Sequence, residues 1–270
     1  MRSSIQGRCI HCVRSSSGKD NVRIISFYSI KGGVGKTTAA VNLAYLNAED
    51  GRKTLLCDLD PQASASFYLR IRPMDGQSSK MMVSSKKKAS QFIRATDYEN
   101  LDLLPSDISF RKLDIQIDKA KRSKKQLKRT LRQFDGEYDT LFVDSPPNIT
   151  LLSENIFRAS DILLVPVIPT TLSRRTYEQL RAFLSRQEIY IEHVIPFFSM
   201  VDRRKSLHKQ MMDDLWDAYP DFCKHYVPYR SEIERMGTLR APLPAARPRS
   251  ESAQEITLLW QEILKKIPSE

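Results

Sequence analysis

The sequence has no long apolar run. No stretch approaches the roughly 18 to 20 apolar residues that a transmembrane helix needs, and residues 1–21 lack the apolar centre of a secretion signal. Both absences predict a protein of the cytoplasm. Hydrophobic residues still make up 41% of the 270 residues, which is enough for the core of one large domain or two small ones.

Cysteine is also scarce. The chain has four cysteines, which we expect to be reduced thiols in a cytoplasmic protein. Cys9 and Cys12 have the spacing of half a zinc site, but no second close pair supplies the other two ligands. We therefore interpret residues 1–21 as a disordered N-terminal tail rather than as a zinc site. We assign residues 22–270 to a single domain.

Positive charge, in contrast, is abundant. The net charge is +11 and the isoelectric point is about 9.5. Such an excess favours a polyanionic partner, of which nucleic acid is the simplest. Lys and Arg are densest in residues 119–132, within a predicted helix over 108–134 that would be basic nearly all round.

Apolar strands alternate with amphipathic helices along most of the chain. The pattern predicts strands at 22–30, 53–58, 101–104, 139–144, 161–168 and 194–201, and helices at 37–49, 108–134, 150–159, 172–187, 205–218 and 252–267. This alternation predicts a doubly wound α/β fold with a mostly parallel sheet and helices on both faces. Residues 73–90 are interpreted as a surface excursion, and the proline-rich 241–250 as an extended connector without a regular helix.

A glycine-rich turn separates the first predicted strand from the first predicted helix. Its residues are Lys31, Gly32, Gly33, Val34, Gly35, Lys36, Thr37 and Thr38. Glycines let the backbone N–H groups of such a turn converge on phosphate oxygens, and the following helix adds the positive end of its dipole. We therefore predict a phosphate-binding loop in which Lys36 bridges the β- and γ-phosphates and Thr37 ligates Mg²⁺.

The loop departs from the common phosphate-loop pattern, which has glycine where this chain has Ile30. The run KGGVGKTT at 31–38 instead resembles the deviant Walker A motif of the ParA/MinD family of P-loop ATPases. Other segments resemble the same family: DLDPQ at 58–62, YDTLFVDSPP at 138–147, ILLVPVIPTTLS at 162–173, FFSMVDRR at 197–204 and VPYRSEIERMG at 227–237. The resemblance runs from residue 22 to residue 268.

Two acidic residues end predicted strands at the edge of the sheet where the loop lies. Asp144 follows an apolar strand, so we expect its carboxylate to hold Mg²⁺ through a water. The resemblance implies that Asp60 orients or activates the attacking water, a role that Asp58 could share. It also implies that Lys31 reaches the nucleotide of a facing subunit, so that Lys31, Lys36 and Asp60 form the catalytic group and ATP with Mg²⁺ closes a homodimer.

The resemblance implies two further sets of contacts. Adenine is expected at the ends of later strands, where the candidates are Asp202, Pro228 and Tyr229. Small ParA-type proteins bind DNA non-specifically as ATP dimers, and the corresponding candidates here are Arg203, Arg204, Arg230 and Arg235. Contacts with phosphates need no reading of base sequence, so scattered basic residues suffice.

The expected function is therefore a slow ATPase, stimulated by a partner protein, that positions a cargo along the nucleoid. Three alternatives share the loop. A MinD-like protein that cycles on membranes would need a free amphipathic helix, but the stripe from Ile256 to Ile267 is expected to pack on the core. An iron–sulfur relative would need paired cysteines, and a metabolic ligase would not explain the basic excess.

Overall fold

The computed structural model describes residues 21–72, 79, 90–120 and 123–267. The predicted tail with Cys9 and Cys12, and most of the predicted excursion at 73–90, lie outside these residues. We number the elements of the described part in chain order. The strands are β1 (Arg23–Phe27), β2 (Thr54–Asp58), β3 (Arg94–Ala95), β4 (Leu101–Leu104), β5 (Thr140–Asp144), β6 (Ile162–Val167), β7 (His193–Val201) and β8 (Val227–Pro228).

The strands form one eight-stranded sheet in the order β3-β4-β2-β5-β1-β6-β7-β8. Every neighbouring pair is parallel except β3 with β4. The α-helices are α1 (Lys36–Glu49), α2 (Ser64–Tyr68), α3 (Leu113–Asp118), α4 (Gln126–Leu131), α5 (Leu151–Ala159), α6 (Thr171–Arg186), α7 (Ser206–Ala218), α8 (Ser231–Glu234), α9 (Met236–Leu239), α10 (Leu243–Ala246) and α11 (Glu251–Lys266).

Successive strand residues point to opposite faces of the sheet, and both faces are covered. Ile25 and Leu56 pack on one face with α1 and α11, whereas their neighbours Ile24 and Leu55 pack on the other face with α3, α4 and α5. A third cluster, under α6 and α7, continues the second face. Because both faces are buried, the strands read as continuous apolar runs, and the predicted fold class is confirmed.

The final helix is part of this core. Ile256, Leu259 and Ile263 are fully buried, and Trp260 packs at a tilt against Phe142 of β5, with ring centroids 5.8 Å apart. The expectation that this stripe packs on the core is confirmed. No helix among the described residues has the length and apolarity needed to cross a bilayer.

Two predicted segments were wrong. Residues 108–134 do not form one helix: 3-10 turns at Ile108–Lys112, Ser123–Lys125 and Arg132–Phe134 alternate with α3 and α4. Like charges three and four residues apart disfavour a continuous helix through the basic run. Nor is α4 basic all round, because Leu127 and Leu131 are buried in the core.

The connector at 241–250 also contains a short helix. The turn of α10 begins after Pro242, and Pro244 occupies one of its first two positions. Proline is tolerated in the first turn of a helix because its missing N–H would have no partner there.

Candidate functional site

The glycine-rich turn joins β1 to α1, as predicted. Gly33 and Gly35 have φ angles of 69° and 84°, in the left-handed region that favours glycine. Gly35 is also the residue that caps α1. A Cβ atom at Gly35 would lie 2.8 Å from the hydroxyl of Ser199 on β7. The backbone of the loop therefore requires glycine here for both conformation and space.

A cleft of about 680 Å³ opens beside this turn at the carboxyl ends of the strands. Its lining includes most of the predicted nucleotide site. The predicted residues that line it are Gly32, Gly33, Val34, Gly35, Lys36, Thr37, Thr38, Asp60, Pro228, Tyr229 and Arg230. The size suits a small-molecule ligand, and its position is the one where open parallel sheets bind ligands.

Lys36 and Asp144 form the buried electrostatic centre of the site. Lys36 is 6% exposed and Asp144 is fully buried. Burial lowers the pKa of the Lys36 ammonium, while Asp144 and Asp60 oppose that shift. Burial raises the pKa of Asp144 to about 7, and Thr37 and Lys36 oppose the rise. The two groups thus partly offset each other's cost of leaving water.

The buried Asp144 carboxylate is not part of the cleft lining, but it has unused capacity to accept hydrogen bonds or bind a cation. Neither of its oxygens has a hydrogen bond of acceptable geometry to a described residue, although Thr37 is near enough to lower its pKa. An unsatisfied buried carboxylate is costly, and a hydrated cation beside Thr37 would remove that cost. These residues fit Mg²⁺, which prefers oxygen ligands and keeps several waters.

Asp58 ends β2 beside Asp144, and Asp60 follows it. Asp58 and Asp144 are register partners on adjacent strands, and burial with Asp144 nearby raises the pKa of Asp58. The Asp58 carboxylate accepts hydrogen bonds from the N–H of Asp60 at 3.2 Å and from the N–H and hydroxyl of Ser66, each at 3.1 Å. Because these hydrogen bonds within the protein occupy the Asp58 carboxylate, Asp60, which lines the cleft, is the better placed of the two to contact a ligand.

The other end of the cleft is formed by β7 and β8. Their pairing shifts register between Ser199 and Val201, and Met200 between them has a φ of 56°. This bulge lies at the cleft, whose wall here contains Ser199, Met200, Pro228 and Tyr229. A β-bulge next to a binding site changes the direction in which the side chains of its strand point.

Asp202, also predicted at the base, lies outside this lining. Its carboxylate accepts two hydrogen bonds at 2.9 Å from the Arg204 guanidinium and one at 3.1 Å from the Arg204 N–H. These bonds hold the pKa of Asp202 well below its usual range. Asp202 follows Val201, which pairs with Pro228 and accepts from the N–H of Tyr229, but its carboxylate is bound by Arg204 and lies outside the lining of the cleft.

The remaining predicted residues lie on the surface. Lys31 is exposed and is absent from the lining of the cleft in its own chain. Arg203 stacks over the Tyr226 ring at 5.3 Å, and Arg230 pairs with Glu251. Arg235 is exposed. The four arginines thus differ in their ion pairs: Arg204 pairs with the carboxylate of Asp202, and Arg230 pairs with that of Glu251.

One cation in the cleft was not predicted. Arg111, in the 3-10 turn after β4, lines the cleft. The sequence gives no local signal for it, because it lies within a segment that reads as an ordinary basic helix.

Comparison with known proteins agrees with this geometry. A family model described as "AAA domain" matches residues 22–195. The chain is 30% identical to the virulence plasmid ParA family protein pGP5-D of Chlamydia psittaci, over 92% of this chain and 97% of that protein. It belongs to the ParA/MinD family of partition ATPases.

Two further similarities are of the same kind. The chain is 29% identical to the sporulation initiation inhibitor protein Soj of Bacillus subtilis, over 89% of this chain and 98% of that protein. The putative plasmid partition protein of Borrelia burgdorferi, solved bound to AMPPNP, superposes with a TM-score of 0.75 at 22% identity, over 91% of this chain and all of the other. The first agrees with the ParA/MinD assignment over a similar share of the chain, and the second confirms the fold.

Proposed function

We propose that this ParA/MinD-family chain binds ATP with Mg²⁺ in the cleft and hydrolyses it slowly. The buried Lys36–Asp144 pair carries the proposal. A charged pair that both borders a phosphate-type loop and leaves a carboxylate unsatisfied is suited to a triphosphate and its cation. Thr37 and Asp144 would hold the metal, which neutralises phosphate charge when bound. Pro228 and Tyr229 would face the base.

Hydrolysis needs a positioned water. Asp60 is half-buried and lines the cleft one strand away from Asp144, and its backbone is fixed by Asp58. One Asp60 oxygen accepts from the N–H of Gln62 at 2.9 Å, which leaves the other for a water. The described lining of the cleft contains no histidine, and its glutamate, Glu234, belongs to α8 after β8 rather than to the phosphate loop. We therefore propose slow turnover that a partner protein stimulates.

We further propose that ATP closes a homodimer through Lys31. The side chain is exposed and does not turn into the cleft of its own chain. A cation that reaches the nucleotide of a second copy would stabilise phosphate charge and make dimerisation depend on the γ-phosphate.

The dimer would bind DNA without sequence preference and so associate with the nucleoid in the cytoplasm. The net charge of +11 supports this, because neutralised phosphates supply most of non-specific affinity. Arg203 and Arg235, which hold no carboxylate of a described residue, are better candidates than Arg204 and Arg230. The outcome would be partition or positioning of a cargo, as the names of the relatives indicate for those proteins.

DNA binding at fixed salt tests the switch. The wild-type chain should bind with ATP and Mg²⁺ and much less with ADP, and Lys31→Ala should bind weakly with both. Lys53→Ala is the matched control, because Lys53 is also an exposed lysine but lies at the opposite edge of the sheet, before β2. Equal DNA binding in all nucleotide states and variants would contradict the proposal.

A further inference from the structure

Arg111 is a cation held on a rigid support at the cleft. Its neighbours Phe110 and Leu113 are buried in the core, with exposures of 3% and 0%. The Asp107 carboxylate caps the turn by accepting from the N–H of Ser109 at 2.6 Å. These anchors fix the backbone from which the Arg111 side chain projects.

A second anchor ties this segment to the other wall of the cleft. The Asp114 carboxylate accepts from the N–H of Leu152, at the start of α5, at 2.6 Å. The loop before α5 contributes Pro146, Pro147 and Asn148 to the lining. Arg111 and this loop are therefore held in one arrangement, rather than on independent surface segments.

The guanidinium itself is exposed and has no hydrogen bond or ion pair to any residue that the structure describes. This distinguishes it from Arg230, the other arginine of the lining, which is paired with Glu251. An arginine presents several N–H donors in a planar fork that matches the oxygens of a phosphate. A guanidinium that lines a phosphate-type cleft and has no partner among the described residues therefore fits a phosphate group.

The order of the strands indicates which phosphate. Along the carboxyl edge the strands run β8, β7, β6, β1, β5, β2, β4. The base end of the cleft is at β8 and β7, the phosphate loop follows β1, Asp144 ends β5, Asp60 follows β2, and Arg111 follows β4. Arg111 thus lies beyond Asp60, at the end farthest from the proposed adenine contacts.

We propose that Arg111 binds the terminal phosphate of ATP held in the same protomer, and so distinguishes ATP from ADP. This inference rests on the proposed function, which places the base at β8. ADP would leave the guanidinium without its phosphate partner. The residue adds a contact within one chain, separate from the contact across the dimer that Lys31 is proposed to make.

Calorimetric titration with AMPPNP and with ADP, each with Mg²⁺, tests the assignment. Arg111→Ala should weaken AMPPNP binding by about ten- to a hundredfold, the range for a hydrogen bond to a charged group, and change ADP affinity by less than about twofold. Arg111→Lys should recover only part of the loss, because an ammonium lacks the planar fork. The control Lys112→Ala removes the adjacent exposed cation, which is outside the lining, and should bind both nucleotides normally.

The same titrations in a Lys31→Ala background separate a contact within the chain from an effect on dimerisation. The loss caused by Arg111→Ala should persist there. Its disappearance, an equal loss for AMPPNP and ADP, or unchanged AMPPNP binding would each overturn the inference. If the wild-type chain binds neither nucleotide, or if Lys36→Ala binds both normally, it is the proposed function that fails.

Discussion

Substitution of Gly35 gives a quantitative test of the geometry of the phosphate loop. Gly35 and Gly51 lie at opposite ends of α1 and share a φ of 84°. Alanine at Gly51 would meet no atom within 4 Å, whereas alanine at Gly35 would place its Cβ 2.8 Å from the Ser199 hydroxyl. The two substitutions therefore carry the same backbone strain and differ mainly in this one contact.

The expected magnitudes follow from that difference. A left-handed alanine costs about 1–2 kcal/mol at either site, and overlap with a packed side chain adds about 1–3 kcal/mol at Gly35 alone. The Ser199 hydroxyl is buried and has no hydrogen-bond partner among the described residues, so Ser199→Ala should change stability little. The double variant Gly35→Ala/Ser199→Ala should recover most of the added cost.

Urea unfolding of the nucleotide-free protein measures all four variants. We expect the free energy of unfolding to fall in the order wild type, Gly51→Ala, Gly35→Ala, with the double variant close to Gly51→Ala. Equal losses for Gly35→Ala and Gly51→Ala, or no recovery in the double variant, would show that β7 does not pack against the loop as described.

Three further predictions concern the charged residues of the site. The pKa of Asp144 is raised to about 7 in the fold. Between the usual pKa of an aspartate and about 7, this carboxyl therefore binds more protons in the folded chain than in the unfolded chain. Its contribution to the free energy of unfolding without ligand should fall as pH rises through that range. Asp144→Asn should reduce this slope in urea titrations at several pH values, and an unchanged slope would assign it to other groups. Lys36→Ala should abolish nucleotide binding in calorimetry, whereas Asp60→Ala should bind ATP and hydrolyse it at a small fraction of the normal rate; normal turnover would exclude Asp60 as the water-orienting group.

The central part of the fold could be predicted from the sequence because its strands are buried on both faces. β2 and β5, for example, are unbroken apolar runs that end in Asp58 and Asp144, so pattern alone indicates both the strands and the edge where the carboxylates lie. The phosphate loop could also be predicted from the sequence, because its glycines lie close together in the chain.

Other features depend on contacts that are distant in sequence. β3 and β8 have two residues each, too few for any periodic pattern, and pair only because a neighbouring strand is already in place. The ion pair between Arg204 and Asp202 depends in the same way on side-chain conformation. The position of Arg111 depends on the interruption of the predicted helix at 108–134.

The mass of the particle in solution tests the central proposal most directly. Sedimentation should show a single protomer with ADP and Mg²⁺ and a dimer with AMPPNP and Mg²⁺, and Lys31→Ala should remain a protomer although calorimetry shows the analogue bound. A wild-type chain that stays a single protomer at full AMPPNP occupancy would contradict the account.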